Sequence, residues 1–294
     1  MSSGKQSIEY WDQVRSRSSH PLSATPRPFL RWAGSKRALT RQIVEFLPHK
    51  FNAYHEPFLG SGALFLLLQP ERAYLNDYCL DLVDIWRAVK YSARQVAAVA
   101  ESFPMDKDTY YKVRKNRSDG LTSRAGEMLY LNRGCFNGLY RVNSSGEFNV
   151  PWGAPRTDFV VDRPNLFEVQ RLLRRTKTNI TNLDFEEALE TCRSGDLVFL
   201  DPPYVTKHNN NGFVEYNQDI FSWTDQQRLA GTAESLRKKG CKVLVTNAFH
   251  KDIVNLYPKF ELKALTRHST LAGDKLRRGK VKEALFIGGF GRYG

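Results

Sequence analysis

The apolar run Leu197-Val198-Phe199-Leu200 stops at Asp201-Pro202-Pro203-Tyr204. Four consecutive apolar residues predict a short strand buried on both faces. Two consecutive prolines bring no N–H to a sheet ladder, so the strand must end there in a stiff turn. The turn carries a carboxylate before it and an aromatic ring after it. Open α/β sheets bind ligands at that edge. A carboxylate that accepts an N–H, beside a ring that can stack, suits an exocyclic amine on a planar base.

The flanking segments predict the rest of such a sheet. Residues 53–58, 72–75, 179–181, 241–246, 260–266 and 284–288 read as strands. Helical spacing predicts helices over 39–47, with Ser35 as a cap, and over 63–68, 80–89, 185–190 and 223–239. Between them, a polar, basic, Asn/Gly-rich stretch interrupts the alternation. The expected organisation is a loose Ser/Pro/Arg-rich leader at 1–27, a catalytic domain from 28–90 and 178–294, and an inserted domain at 91–177. The expected fold is α/β, a Rossmann-like sheet with a mostly helical insert that contains a β-hairpin. Residues 8–14 could add a short helix in the leader.

The 294 residues include 44 Lys and Arg against 31 Asp and Glu, a net charge of +13. Such an excess points to a polyanionic partner, with nucleic acid the first candidate. No apolar stretch approaches a membrane span, and the polar N-terminus has no secretory h-region. The four cysteines, at 79, 135, 192 and 241, have no metal-site spacing. They read as free thiols in a reducing cytoplasm, and no metal is expected.

Phe58-Leu59-Gly60-Ser61-Gly62 predicts a strand–turn–helix with a ligand at the glycines. Asp77 closes the next strand 17 positions after Gly60. A carboxylate about 20 residues past such a turn commonly takes a ribose hydroxyl pair. Phe65 stands where a dinucleotide site would place its third glycine. The expected cofactor is therefore adenosine-based without a pyrophosphate, and S-adenosylmethionine fits.

At this point the chain resembles the Dam-type (D12 class) DNA adenine-N6 methyltransferases. The motifs that carry the resemblance are Phe29-Leu30-Arg31-Trp32-Ala33-Gly34-Ser35-Lys36, Glu56-Pro57-Phe58-Leu59-Gly60-Ser61-Gly62, Asn76-Asp77 and Asp201-Pro202-Pro203-Tyr204. Leu131-Asn132-Arg133, Phe136 to Arg141 and Gly146 to Pro151 are similar to the family's DNA-reading segment. The resemblance implies cofactor contacts from Trp32, Lys36, Phe58, Asp77 and Asp201, with Glu56, Gly60 and Gly62 from the glycine motif. Asp184-Phe185 is similar to the pair that holds the cofactor's adenine. Phe136 takes the place of an aromatic wedge beside a flipped base. Arg31, Arg133, Asn137, Leu139, Arg141 and Pro151 match DNA-contacting positions. Gly34-Ser35 departs from the family's Gly-Gly, Arg31 replaces a lysine, and Trp152-Gly153-Ala154-Pro155 lacks a tyrosine found there in some members. These departures bear on the flanks of a GATC-like recognition site.

The implied reaction is methyl transfer to adenine N6 in double-stranded DNA, with Asp201, Pro202, Pro203 and Tyr204 as the catalytic turn. Asp201 and the Pro202 carbonyl would accept the two N6 hydrogens, and Tyr204 would stack on the base. The basic residues Arg114, Lys115, Arg117, Arg124, Arg133 and Arg141 are expected mostly on phosphates, with Arg141 suited to a guanine edge. Residues 208–211 could close over the base, and the basic stretch 273–282 could reach a groove. A monomer in the cytoplasm is expected. Alternatives are N4-cytosine methylation and methylation of RNA or a protein amide by the same core. The Arg-rich insert argues against a protein substrate. No Pro-Cys dipeptide is present for cytosine-C5 chemistry.

Overall fold

The computed structural model describes residues 26–204, 221–268 and 280–290. Most of the leader, the 8–14 segment, residues 208–211 and most of 273–282 lie outside the described residues.

Seven strands form one sheet in the order β3-β2-β1-β4-β5-β7-β6. They are β1 Tyr54–Glu56, β2 Arg72–Asn76, β3 Lys177–Thr181, β4 Leu197–Leu200, β5 Lys242–Ala248, β6 Glu261–His268 and β7 Lys280–Gly288. The first five run parallel, with Tyr54 opposite Ala73 on one side and Leu197 on the other. β7 inserts antiparallel between β5 and β6. Strand order reverses at β1, which has β2 on one side and β4 on the other. That reversal opens a crevice at the carboxyl ends of β1 and β4, the usual ligand position in such sheets.

Both faces are covered, and period 2 in the strands shows it. Leu197, Phe199, Leu244 and Leu285 enter one core, while Val198, Leu200, Val243, Val245 and Phe286 enter the other. The first core is closed by α1 Thr40–Val44, α2 Ala63–Leu68, α3 Leu80–Glu101, α4 Lys107–Lys115, α5 Leu121–Gly134 and α6 Arg163–Arg175. The second is closed by α7 Phe185–Leu189, α8 Trp223–Lys238 and α9 Lys251–Leu256.

Several expectations need correction. Ser35 makes no side-chain cap; a 3-10 turn at Lys36–Ala38 precedes α1, and the Ser35 hydroxyl instead pairs with that of Ser61 at 2.7 Å. The helix expected over 80–89 continues as α3 to Glu101, with a break in helical geometry at Ser92. The expected hairpin is a short antiparallel turn in which Val142 bridges Phe148, with the Asn143 N–H on the Glu147 carbonyl and the Asn149 N–H on the Arg141 carbonyl. Lys280 to Lys282 belong to β7 and pair with His268 to Thr266.

Candidate active site

Three acids stand at or just beyond the carboxyl ends of adjacent strands: Glu56 on β1, Asp77 after β2 and Asp201 after β4. Around Asp201 the polar contacts are short and buried. Its Oδ1 accepts from Thr246 Oγ1 at 2.6 Å and lies 2.7 Å from Lys36 Nζ. Lys36 is 6% exposed, donates to the Gly34 carbonyl at 2.9 Å and sits 4.6 Å over the Tyr204 ring. The Tyr204 hydroxyl donates to Glu283 Oε2 at 2.7 Å, and Lys36 Nζ is 3.8 Å from the same oxygen. Burial pushes the Asp201 carboxyl above its ordinary range against the opposing pull of Lys36. Burial, with Asp201 and Glu283 nearby, pushes the Tyr204 hydroxyl well up, so it stays a donor.

Lys36 therefore lies in the aspartate–proline cluster, where the resemblance had placed it only on the cofactor. The Pro203 carbonyl accepts from Gln226 Nε2 at 2.9 Å. Neither proline of the turn has an N–H, so these side chains do the holding.

On the neighbouring strand, Glu56 is 3% exposed and accepts the Tyr54 hydroxyl at 3.0 Å. Burial raises both groups well above their ordinary values. The glycine turn follows. Gly62 has φ +61, and a Cβ there would stand 2.7 Å from the Trp86 ring, so only glycine fits. A Cβ at Gly60 would meet Trp32 at 3.1 Å. Asp77 binds this turn: its Oδ2 accepts the Gly60 N–H at 2.9 Å and its Oδ1 accepts the Cys79 N–H at 3.0 Å. Asp77 is partly exposed by accessible surface, yet desolvation still pushes its carboxyl up to about 6.

Asn76 brings the Asp184-Phe185 pair to this edge. Its amide donates to the Pro57 and Leu183 carbonyls at 3.2 and 3.0 Å, and its Oδ1 accepts from the Leu183 N–H and the Thr181 hydroxyl. Phe58, Phe185 and Phe221 form an aromatic group, with Phe58 5.6 Å from each of the other two. Arg228 lies 4.8 Å over Phe185 and bonds Asp184 at 2.9 Å.

Most of the DNA-reading candidates follow α5; Arg133 lies in its last turn and Arg31 precedes α1. Phe136 is 50% exposed, and its N–H bonds the exposed Pro151's carbonyl at 2.9 Å. Asn137 is exposed at φ +54, Leu139 is half-buried, and exposed Arg141 donates to Asn149 Oδ1 at 2.7 Å. Asn132 trades two bonds with Arg31: it accepts the Arg31 N–H at 2.9 Å and donates to the Arg31 carbonyl at 2.8 Å. A Cβ at Gly138 would strike Arg31 Cβ at 2.4 Å, so glycine lets the two segments meet.

The basic residues of this region have partners within the fold. Arg117 pairs with Glu127, Arg124 with Asp81 at 3.1 Å, and Arg114 donates to the Val150 carbonyl at 3.1 Å while stacking on Tyr111. Arg133 lies 4.9 Å over Phe159 and donates to its carbonyl. These guanidiniums are used by the fold; Lys115 and Arg141 remain exposed. Among the described residues, no cluster of His, Cys, Asp or Glu could hold a metal, and no helix is long and apolar enough to cross a membrane.

Comparison with known families matches residues 32–271 to the D12 class N6 adenine-specific DNA methyltransferases. This chain belongs to that family. A type II methyltransferase, M.MjaIII of Methanocaldococcus jannaschii, is 35% identical over 86% of this chain and 96% of its own length. A type II methyltransferase of Lactococcus lactis, M1.LlaDCHI, is 33% identical over 88% and 94%. The DNA adenine methylase of Haemophilus influenzae is 32% identical over 90% and 94%.

In this D12-class enzyme, sequence reading missed Thr246, Glu283, Gln226, Asn247 and Arg228 around the edge. The first four are fully or almost fully buried. Polar residues ending an apolar strand, Thr246-Asn247 after Val243-Leu244-Val245, were the one signal available.

Proposed function

We propose that this D12-class enzyme uses S-adenosylmethionine to methylate N6 of an adenine extruded from double-stranded DNA, with Asp201 and the Pro202 carbonyl as the two N6–H acceptors. The observation that carries the reading is the fixed Asp201 at the crevice where strand order reverses. Its contacts to Thr246 and Lys36 both fall on Oδ1, which leaves Oδ2 to receive an amine hydrogen. Accepting both hydrogens draws the N6 lone pair out of conjugation and aims it away from the ring. Tyr204, with its hydroxyl tethered to Glu283, offers its ring to the base.

The residues at the edge fit the cofactor. Asp77 spends one lone pair per oxygen on the Gly60 and Cys79 N–H groups, and each oxygen keeps a second for a ribose hydroxyl. Phe58 offers a flat apolar face for an adenine with the buried Phe185 packed beside it, and Asp184 offers an acceptor for the adenine's amine. Trp32, Lys36, Glu56, Gly60 and Gly62 complete the frame. When bound, the cofactor supplies an electrophilic methyl group.

Residues 91–177 act as the DNA-reading insert in this proposal. Phe136 fills the space the base leaves, which offsets an unstacking cost of a few kcal/mol. Asn137, Leu139, Arg141, Pro151, Arg31 and Arg133 face the duplex. Family membership favours adenine N6 over the cytosine-N4, RNA and protein-amide readings.

Asp201→Ala tests the assignment. Methyl incorporation into adenine-unmethylated duplex should fall at least about a thousandfold, the scale of losing a group that acts in the transition state, while duplex affinity stays within a few-fold. Near-normal N6-methyladenine formation by this variant would refute the assignment.

A further inference from the structure

The Pro203 carbonyl is the last link of a one-way chain of hydrogen bonds that runs through two buried amide side chains. The Ala248 N–H donates to Asn247 Oδ1 at 2.8 Å. Asn247 Nδ2 donates to Gln226 Oε1 at 2.9 Å, and Gln226 Nε2 donates to the Pro203 carbonyl at 2.9 Å. Asn247 and Gln226 are both 0% exposed. A peptide N–H at one end and a carbonyl at the other leave each amide only one orientation. Gln226 itself is placed by the start of α8, where Ser222 and Asp225 form a reciprocal cap and the Gln226 N–H bonds the Ser222 carbonyl at 3.1 Å.

We propose that Gln226 and Asn247 form a positioning relay that sets the orientation of the Pro202 carbonyl, the second N6–H acceptor. The inference rests on the reading of Asp201-Pro202-Pro203-Tyr204 given above. Proline fixes φ at 202 and 203, so the remaining freedom of the turn is largely in ψ. Because the 202–203 peptide plane and φ at 203 are fixed, the place of the Pro203 carbonyl follows ψ at 202, so anchoring it limits how far the Pro202 carbonyl can turn. Asp201 is anchored by Thr246, which precedes Asn247 on the same strand. One end of β5 thus sets both N6–H acceptors: the carboxylate directly and the carbonyl through an amide pair. Catalytic geometry tolerates little error, and a misplacement of about 1 Å can cost about a hundredfold in rate.

The relay has a polarity that substitution can reverse. In Gln226→Glu, the ionised side chain can only accept, so it faces the Pro203 carbonyl acceptor to acceptor. Protonating the introduced carboxyl restores a donor. Gln226→Met keeps similar length and has no donor at any pH. Asn247→Asp removes the middle donor while still accepting the Ala248 N–H.

Single-turnover methylation of adenine-unmethylated duplex, at saturating donor and DNA, separates these cases. At pH 8, Gln226→Glu, Gln226→Met and Asn247→Asp should each be slowed about 10- to 100-fold, with donor affinity close to that of the unaltered enzyme and a lowered but still cooperative melting transition. Relative to that enzyme at each pH, Gln226→Glu should recover as pH falls toward 6, and Gln226→Met should not. Rates within twofold of normal for Gln226→Glu and Gln226→Met would overturn the relay. So would identical pH profiles for those two variants, or a loss confined to donor binding. If Gln226→Glu does not fold, Asn247→Asp against Gln226→Met decides, because normal turnover in either rules the relay out. N6-methyladenine formed by the unaltered enzyme in the same assay separates failure of the relay from failure of the reading beneath it.

Discussion

At the carboxyl edge of the sheet, Asp201, Tyr204 and Pro203 are each held by a buried side chain from another element: Thr246 and Lys36, Glu283, and Gln226. In the segment from Phe136 to Pro151 the candidate contact groups are largely exposed, with Phe136 half exposed and Arg141 bonded to Asn149 of its own loop. The difference follows the task of each region. Transfer to a weak nucleophile needs acceptors fixed in advance, and a buried polar network fixes them when every member is satisfied. Entry into a duplex needs groups that meet phosphates and bases in solvent, so rigidity is supplied one layer back. There the insert uses Arg124 with Asp81 and Arg117 with Glu127.

Three substitutions probe that contrast. The largest effect is expected at the edge. Lys36→Met leaves Asp201 and Glu283 without the ammonium beside them, and kcat/KM should fall about a hundredfold, as for a lost buried ionic partner of about 3 kcal/mol. Its pH profile sharpens the reading. Burial already holds the Asp201 carboxyl above its usual range, and Lys36 opposes that shift. The acceptor role needs the ionised form, so activity is lost as pH falls through the raised value. Without Lys36 that value rises further, and the acid limb of kcat/KM should move to higher pH. An unmoved limb would show that Asp201 does not titrate there.

A smaller effect is expected at the tip of the insert. Phe136→Ala should slow methylation of a matched duplex about tenfold and recover most of that when the target adenine is mispaired, because a mispaired base costs less to extrude. Equal losses on both substrates would remove the wedge role. The smallest is expected one layer back. Arg124→Met should lower stability by about 1 kcal/mol, discounted for the partial exposure of its pair with Asp81. The slope of log affinity against log salt is expected to stay unchanged, since the Asp81 carboxylate already pairs with Arg124. A slope reduced by about one ion would return Arg124 to the DNA surface.

The same contrast governs what could be read from the sequence. The end of β4 was legible because an apolar run meets two prolines, and the glycine turn because Gly60 and Gly62 precede a helix. The far part of α3 was not. Its buried face beyond Ser92 uses Ala93, Ala97 and Ala100, and Gly126 of α5 lies against Val99 so closely that a Cβ would stand 2.6 Å away. Close helix packing through small residues leaves a weak apolar signal, so the helix seemed to stop at its polar stretch. The partners of the basic residues were illegible for another reason. Arg124 and Asp81 are 43 positions apart, and nothing local tells a guanidinium held by a distant carboxylate from one waiting for a phosphate. The buried partners of the edge, Gln226, Asn247 and Glu283, come from three elements that only the folded sheet brings together.

The doubly bonded contact between Asn132 and Arg31 carries a consequence for how information crosses the molecule. Arg31 abuts Gly138 in the segment proposed to meet DNA, and its chain neighbour Trp32 abuts Gly60 in the segment proposed to cradle the donor. Only one peptide unit separates those two contacts. The asparagine clasp therefore ties the segment proposed to meet DNA to the segment proposed to cradle the donor through a single shared stretch of backbone.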